Sequence, residues 1–332
     1  MLNDGALSVV TPWRILGLTI IVLSACTMTL TIDLQGHRGA RGHLPENTLP
    51  AFEYALRTGV TTLELDTGVT RDGVVVVAHD FRLNHEITRD RSGHWIAAPG
   101  PFVSNLTLDE IKRFDVGRID PASEYAGRFP NQRGIDGARM PRLDEVFALT
   151  DRLGARAVRF NIETKIDPEE PAATPPPEAF ARALIDTIRA HGMATRSTIQ
   201  SFDWRTLAIT QRDAPEIATV YLTAEQPWYD TIQRKLGGSP WTNGIMFHAH
   251  GSVPRMVRAA GGRIWSPYFG DLTAEARTEA RALGLKVVVW AVNEPADIER
   301  MLDAQVDGII SDYPDRVRLA MQRRGLTLPA TY

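Results

Sequence analysis

Short runs of β-branched and other apolar residues, each followed by polar residues, recur along the chain. They predict strands at residues 31–36, 61–66, 74–78, 157–163, 196–200, 217–222, 244–247, 263–265, 286–292 and 308–311. Apolar residues at helical spacing predict helices at residues 49–57, 143–153, 178–191, 204–212, 254–260, 273–283 and 294–303. Strands that alternate with helices favour a parallel sheet with helical crossovers.

Two of these ten strand candidates fit a parallel sheet poorly. Residues 74–78 follow an Asp72-Gly73 turn and predict a side hairpin, and residues 244–247 form a short run flanked by Trp, Asn and His. Eight candidates remain, which is the strand number of a closed β/α barrel. The fold class predicted is α/β, a (β/α)8 TIM barrel with a small inserted lobe after the second strand.

The chain length leaves room for that lobe. Of 332 residues, about 306 remain if an N-terminal signal of 26 residues is removed, and a plain barrel needs about 250. Residues 81–140 match the surplus and contain several turn signals, such as Ser92-Gly93 and residues 99–101 (PGP), so we expect them to form the inserted lobe within a barrel domain at residues 31–320. Residues 167–178 hold five prolines and predict a loop.

The N-terminal residues resemble an export signal. An uncharged apolar run at residues 15–25 follows Arg14, and Leu23-Ser24-Ala25-Cys26 resembles the bacterial lipobox, in which the Cys is lipidated after cleavage. We expect residues 1–26 to be a signal peptide and the protein to be exported, to the periplasm or as a lipoprotein anchored in the outer membrane. A simple cleaved signal, an uncleaved anchor and a true start at Met28 are the alternatives.

Composition narrows the class of function. With 43% hydrophobic and 23% charged residues, the chain can bury a full core. The net charge of −3 provides no general positive field, so we expect no nucleic-acid partner. The single Cys excludes an intramolecular disulfide and a CxxC metal or redox pair.

Acidic residues cluster where the predicted strands end, which is the catalytic face of a β/α barrel. Glu64 and Asp66 are two residues apart on one strand, so they share a face, and Glu163 ends the next barrel strand. Three carboxylates that converge repel one another unless a cation lies among them. Oxygen ligands alone suit Mg²⁺ or Ca²⁺, and this pattern predicts one such divalent cation.

Several sequence blocks together resemble the glycerophosphodiester phosphodiesterase family. They are residues 37–52 (HRGARGHLPENTLPAF), Glu64-x-Asp66, residues 70–73 (TRDG), His79-Asp80, residues 161–165 (NIETK), residues 200–202 (QSF), residues 290–293 (WAVN) and residues 306–312 (VDGIISD). The resemblance implies a barrel with a small lobe, a divalent cation, and hydrolysis of a small-molecule glycerophosphodiester to glycerol 3-phosphate and an alcohol. By position it implies metal ligands at Glu64, Asp66 and Glu163, an acid/base pair at His37 and His79, and phosphate contacts at Arg38 and Lys165.

Other residues have both a functional and a structural interpretation. Trp290 and Phe202 can form an aromatic wall for the substrate or pack in the core. Asn47 and Thr48 precede a helix and favour capping, whereas Glu46 is expected near the site. The pair His248 and His250 lacks an evident third ligand, so a zinc site is not expected there.

Two other functions remain open at this stage. A phospholipase or lysophospholipase D-type phosphodiesterase, acting on lipids, would keep the barrel and both histidines. Exposed aromatic side chains at Trp228, Tyr229 and Trp241 near the barrel mouth would favour that alternative. A surface lipoprotein that only binds would be favoured by loss of a catalytic His or carboxylate, and none is lost.

Overall fold

The computed structural model describes residues 31–332 and, before them, only residues 1, 2 and 5. The lipobox-like sequence and Cys26 lie outside the described residues. Within the described part of the chain, no helix has both the length and the apolar character needed to span a bilayer.

The strands agree with the eight predicted for the barrel and with the predicted hairpin strand, and they add two short ones, β7 and β8. They are β1 (Asp33–Gly36), β2 (Thr62–Val69), β3 (Val75–Val77), β4 (Arg159–Thr164), β5 (Ser197–Ser201), β6 (Ala218–Thr223), β7 (Glu225–Gln226), β8 (Tyr229–Asp230), β9 (Ile264–Pro267), β10 (Lys286–Val289) and β11 (Gly308–Ser311). Residues 244–247 hold no strand, as expected, because a short helix begins at Phe247.

Eight parallel strands close into a barrel, which confirms the predicted fold class. Their order is β1, β11, β10, β9, β6, β5, β4 and β2, and pairing of β1 with β2 completes the ring. Strand β3 pairs antiparallel with the end of β2 as the predicted side hairpin. All carboxyl ends of the eight barrel strands therefore open onto one mouth.

The helices form a layer around the barrel. They are α1 (Leu49–Thr58), α2 (Leu108–Ile111), α3 (Glu124–Arg128), α4 (Leu143–Arg152), α5 (Pro177–Ala190), α6 (Trp204–Asp213), α7 (Phe247–His250), α8 (Val253–Ala259), α9 (Ala274–Ala282), α10 (Pro295–Asp303) and α11 (Pro314–Arg323). Seven of them match the predicted helices within two residues at either end, whereas α11 has no counterpart in the sequence prediction.

Three apolar clusters lie among the described residues, and two of them hold these layers together. The larger one joins strand residues such as Leu63 and Phe160 to helix residues such as Phe52 and Leu184, all fully buried. The smaller one includes Leu83 and lies largely within the stretch predicted to be the inserted lobe, where only short helices occur between β3 and α4. The segment above the mouth thus packs around a core of its own.

Candidate active site

Three buried carboxylates meet at the barrel mouth. Glu64 and Asp66 lie two residues apart on β2, so their side chains share the inner face, and the strand register sets Asp66 beside Glu163 on β4. One oxygen from each side chain lies within 4.8 Å of the other two. The structure therefore brings together the three residues that the sequence pattern predicts to be metal ligands.

Polar groups from neighbouring segments orient the two carboxylates on β2. Glu64 accepts hydrogen bonds from the Arg38 backbone N–H at 2.9 Å and from Gln200 Nε2 at 2.7 Å. Asp66 Oδ2 accepts one from Asn47 Nδ2 at 2.9 Å. Their oxygens are consequently held at fixed positions in a site from which most water is excluded.

Burial and mutual repulsion separate the pKa values of the three carboxyl groups. Burial, reinforced by the charge of Asp66, raises the pKa of Glu64 well above its usual value. Burial also raises the pKa of Glu163 to about 7, although the Lys165 ammonium opposes this. Burial acts on Asp66 in the same direction, but Arg38 and other nearby cationic groups outweigh it and hold the pKa of Asp66 far below normal.

This donor set fits a divalent cation. All three ligands are carboxylates, the hard oxygen donors that Mg²⁺ and Ca²⁺ prefer. Within residues 31–332, no hydrogen bond reaches Asp66 Oδ1 or Glu163 Oε2, so both oxygens are available to a metal. Among the described residues, this is the group of His, Cys, Asp and Glu side chains whose geometry could hold an ion, and His248 and His250 are not part of it.

His37 lies directly after β1 and is oriented by a buried carboxylate. Its Nδ1 is 2.6 Å from Asp312 Oδ1, and its Nε2 is 3.9 Å from Glu64 Oε2. Burial lowers the pKa of His37 to about 4, although the charge of Asp312 works against this. If Nδ1 donates its proton to Asp312, Nε2 carries the free lone pair of a neutral ring, which is the state a general base requires.

His79 follows β3 and has a similar partner. Its Nδ1 is 2.7 Å from Asp80 Oδ1, and Asn84 donates to the other oxygen of Asp80 at 2.9 Å. Burial lowers the pKa of His79, and the charges of nearby basic residues add to this effect. Both histidines line one cavity of about 260 Å³ at the mouth, so both can contact a small substrate bound there.

The two predicted phosphate contacts line the same cavity. Lys165 Nζ donates to Glu163 Oε1 at 2.8 Å, and Arg38 Nη1 donates to Glu46 Oε1 at 2.7 Å. Arg38 Nε is buried, lies 3.2 Å from an oxygen of Asp66 and forms no hydrogen bond within the described chain. Within residues 31–332 the Arg38 side chain forms hydrogen bonds through Nη1 and none through Nη2, so Nη2 is the nitrogen left for an anionic ligand.

A network around Asp312 was not assigned a role from the sequence. Asp312 Oδ1 accepts from Arg41 Nε at 2.9 Å, and its Oδ2 accepts from Asn293 Nδ2 at 2.7 Å. Arg41 also donates to the hydroxyl of Tyr125, a lobe residue. Ser311 and Asp312 stand at the end of the last predicted strand. Because strand ends face the mouth of a barrel, this position was the signal that could have placed Asp312 in the site.

The expectation that both Asn47 and Thr48 cap a helix was half wrong. Thr48 is the N-cap of α1 and accepts from the Ala51 backbone N–H. Asn47 instead adopts a left-handed backbone with φ of 55°, and its side chain bonds Asp66. Glu46 lies near the site as expected and contacts Arg38.

The predicted aromatic residues lie beside the carboxylate site. Phe202 and Trp290 contact each other edge to face, with ring centroids 5.3 Å apart, and line the inner cavity. Of the aromatic residues expected to be exposed at the mouth, Trp228 is 61% exposed, whereas Trp241 is buried because it packs into the cluster around Phe202.

Comparison with known proteins gives a consistent result. The sequence model of the Glycerophosphoryl diester phosphodiesterase family matches residues 37–316. A glycerophosphodiester phosphodiesterase from Caldanaerobacter subterraneus subsp. tengcongensis is 28% identical over 292 residues, 87% of this chain and 97% of that protein.

Solved structures resemble the whole barrel. A crystal structure described as a glycerophosphoryl diester phosphodiesterase from Silicibacter pomeroyi is 38% identical, with a TM-score of 0.79, covering 90% of this chain and 96% of that one. An Oleispira antarctica phosphodiesterase, solved with the product sn-glycerol-3-phosphate, has a TM-score of 0.63 at 20% identity and covers 87% and 96% of the two chains. At that identity the second likeness shows the fold alone.

Proposed function

Because the chain belongs to the glycerophosphoryl diester phosphodiesterase family and is a phosphoric diester hydrolase, we propose that it hydrolyses glycerophosphodiesters to glycerol 3-phosphate and an alcohol. The proposed reaction depends on a metal ion and uses two histidines as acid and base. One observation carries this proposal. The carboxylate triad, both histidines and both basic side chains converge on adjoining cavities at the mouth. None of the residues that the proposed reaction needs is missing, which disfavours a surface lipoprotein that binds a ligand without catalysis.

Glu64, Asp66 and Glu163 would hold one divalent cation, Ca²⁺ or Mg²⁺. When bound, the cation would offset the negative charge of the phosphodiester and of the transition state. Together with Arg38 and Lys165, the cation and the three carboxylates carry a formal charge of +1, which a phosphodiester anion neutralises.

The histidines would divide the proton transfers. Nε2 of His37 takes the proton of the glycerol hydroxyl next to the phosphate, and that oxygen attacks phosphorus. The bond from phosphorus to the alcohol oxygen breaks, and His79 donates a proton to the departing alcohol. Water then opens the cyclic phosphate with the two roles reversed. A bound phosphate would oppose the effect of Arg38 and Lys165 on the pKa of His79, which would favour the protonated form that an acid needs.

A panel of glycerophosphodiesters tests this function with the purified protein. Turnover should stop with EDTA and return with Ca²⁺ or Mg²⁺, and a Ca²⁺-selective chelator such as EGTA distinguishes the two ions. Glu64→Gln should remove activity, whereas Glu294→Gln, a change at an exposed side chain on another loop, should not. Full turnover in a metal-free sample would overturn the metal dependence, and no turnover of any diester would overturn the proposed function.

We also propose that the protein is exported and anchored through Cys26. The apolar run at residues 15–25 and the lipobox-like sequence support this. In a bacterial host, Cys26→Ser should move the protein from the membrane fraction to the soluble fraction, because the variant lacks the residue that carries the acyl chains. The change should be large, since several acyl chains bind a bilayer far more firmly than one. Mass spectrometry that finds no lipid on Cys26 of the unchanged protein would reject the anchor.

A further inference from the structure

A row of three buried amide side chains crosses the interior of the barrel beneath the carboxylate triad. Gln35 on β1, Asn161 on β4 and Gln200 on β5 are each at most 4% exposed. At one end of the row lies Glu64, and at the other end lies Asp33, where β1 begins at the base of the barrel. The row therefore connects a carboxylate at the base of the barrel to a carboxylate at its mouth.

The two outer amides each donate a hydrogen bond away from the middle of the row, because each of them faces a carboxylate. Gln200 Nε2 donates to Glu64 Oε1 at 2.7 Å. Gln35 Nε2 donates to Asp33 Oδ2 at 3.0 Å, and Arg159 pairs with the same carboxylate at 3.0 Å. An ionised carboxylate can only accept hydrogen bonds. Each outer amide consequently turns its own oxygen towards the middle of the row.

Asn161 lies in the middle and satisfies both of these oxygens. Its Nδ2 donates to Gln35 Oε1 at 3.0 Å and to Gln200 Oε1 at 2.8 Å. Its own oxygen accepts from the hydroxyl of Thr198 at 2.8 Å. A primary amide has two N–H donors on one nitrogen, so this single side chain can serve both neighbours. The direction of every hydrogen bond in the row is thereby fixed.

A Gln200 amide turned the other way would meet two conflicts. Its oxygen would lie against an oxygen of Glu64, and its nitrogen would lie against the nitrogen of Asn161. Buried polar groups that lose their partners in this way are costly. The second conflict exists only because Asn161 presents donors at this position. Glu64 Oε1 is thus held by a donor whose own orientation is fixed from behind.

We propose that Asn161 is a positioning residue for the metal site: it fixes the orientation of Gln200, and Gln200 in turn holds Glu64 as a ligand. The inference rests on the proposed divalent cation at Glu64, Asp66 and Glu163. Removal of a group that hydrogen-bonds a metal ligand weakens metal binding by roughly 10- to 100-fold. Because Asn161 acts one hydrogen bond further away, we expect a loss of about tenfold, at the lower end of that range.

Replacement of Asn161 by an apolar residue tests the positioning. Asn161→Leu keeps a similar volume and takes away the donor of both amide oxygens, so Gln200 can turn. Isothermal titration calorimetry should show about tenfold weaker Ca²⁺ binding, or Mg²⁺ binding if that ion restores turnover. Thr210→Val, another buried change from polar to apolar but on α6, is the matched control and should keep the affinity. Urea unfolding of both variants verifies that they are folded.

A double substitution distinguishes positioning from a general disturbance of the barrel. Gln200→Met removes the donor to Glu64 and should weaken metal binding by itself. If Asn161 acts through Gln200, adding Asn161→Leu to Gln200→Met should weaken binding by less than about twofold more. A second loss of about tenfold in the double variant would show that Asn161 affects the site by another route, and it would overturn the proposal.

The same titrations separate failure of this proposal from failure of the proposed function. If the unchanged protein binds neither Ca²⁺ nor Mg²⁺, the proposed metal site fails and the positioning role fails with it. If the unchanged protein binds one of these ions and Asn161→Leu binds it equally well, the positioning role alone is refuted. In the expected case, saturating metal should bring kcat of Asn161→Leu close to that of the unchanged protein, because both histidines remain in place.

Discussion

Metal binding should release protons from the carboxylate triad, in a number that depends on pH. A carboxylate must lose its proton before it can act as a ligand. Burial raises the pKa of Glu163 to about 7 in the metal-free protein. Glu163 therefore holds about 0.9 proton at pH 6 and about 0.03 proton at pH 8.5.

The expected difference follows from these two fractions. Ca²⁺ binding at pH 6 should release about 0.9 proton more than at pH 8.5, and Glu64 adds only the part of its proton that it holds at pH 6 and has lost by pH 8.5. The affinity should be about tenfold weaker at pH 6, because only about one molecule in eleven has Glu163 ionised there.

Isothermal titration calorimetry in two buffers of different ionisation enthalpy counts the protons. Glu163→Gln should abolish most of the pH dependence of the proton count, and Glu294→Gln should preserve it. Equal proton release at pH 6 and pH 8.5 in the unchanged protein would refute the argument, since it would mean that Glu163 does not lose its proton between these two pH values.

Three further changes test the rest of the site. Asp312→Asn removes the charge that orients His37 and should lower kcat at least about tenfold with little change in KM; equal kcat would show that this contact is not needed. With a p-nitrophenyl leaving group, which departs without a proton, the His79→Ala variant should regain much of its rate and the His37→Ala variant should not, and the opposite pattern would exchange their roles. Gly39→Ala should cost about 2 kcal/mol or more in urea unfolding, because φ is +86° and the new Cβ would lie 2.7 Å from the Ala51 backbone; an unchanged midpoint would contradict this.

The barrel was predictable because its strands are buried on both faces and appear in the sequence as short, nearly continuous apolar runs. Helix α11 was not, because its apolar residues are interspersed with arginines over a short stretch. Val317, Ala320 and Met321 are buried on one face, and most of the other positions are charged or polar. Packing against neighbouring helices stabilises α11, and the sequence of the helix alone does not show that packing.

The same contrast applies to the site. The positions of Glu64 and Asp66 follow from strand alternation alone, so local sequence sufficed. Asp312 and His37 are 275 residues apart, and only the pairing of β11 with β1 brings them together. The role of Asn47 depends on a left-handed backbone conformation that no residue pattern near it specifies.

The direction of β1 determines how an anchored protein would stand on its membrane. β1 begins at Asp33 on the face of the barrel opposite the mouth, and His37 follows its other end. A lipid on Cys26 would be joined to Asp33 by seven residues, a reach of about 25 Å at most. Given the proposed anchor, the base of the barrel would rest on the bilayer and the mouth would open towards the aqueous phase. Such an orientation would suit the capture of diesters that diffuse in solution.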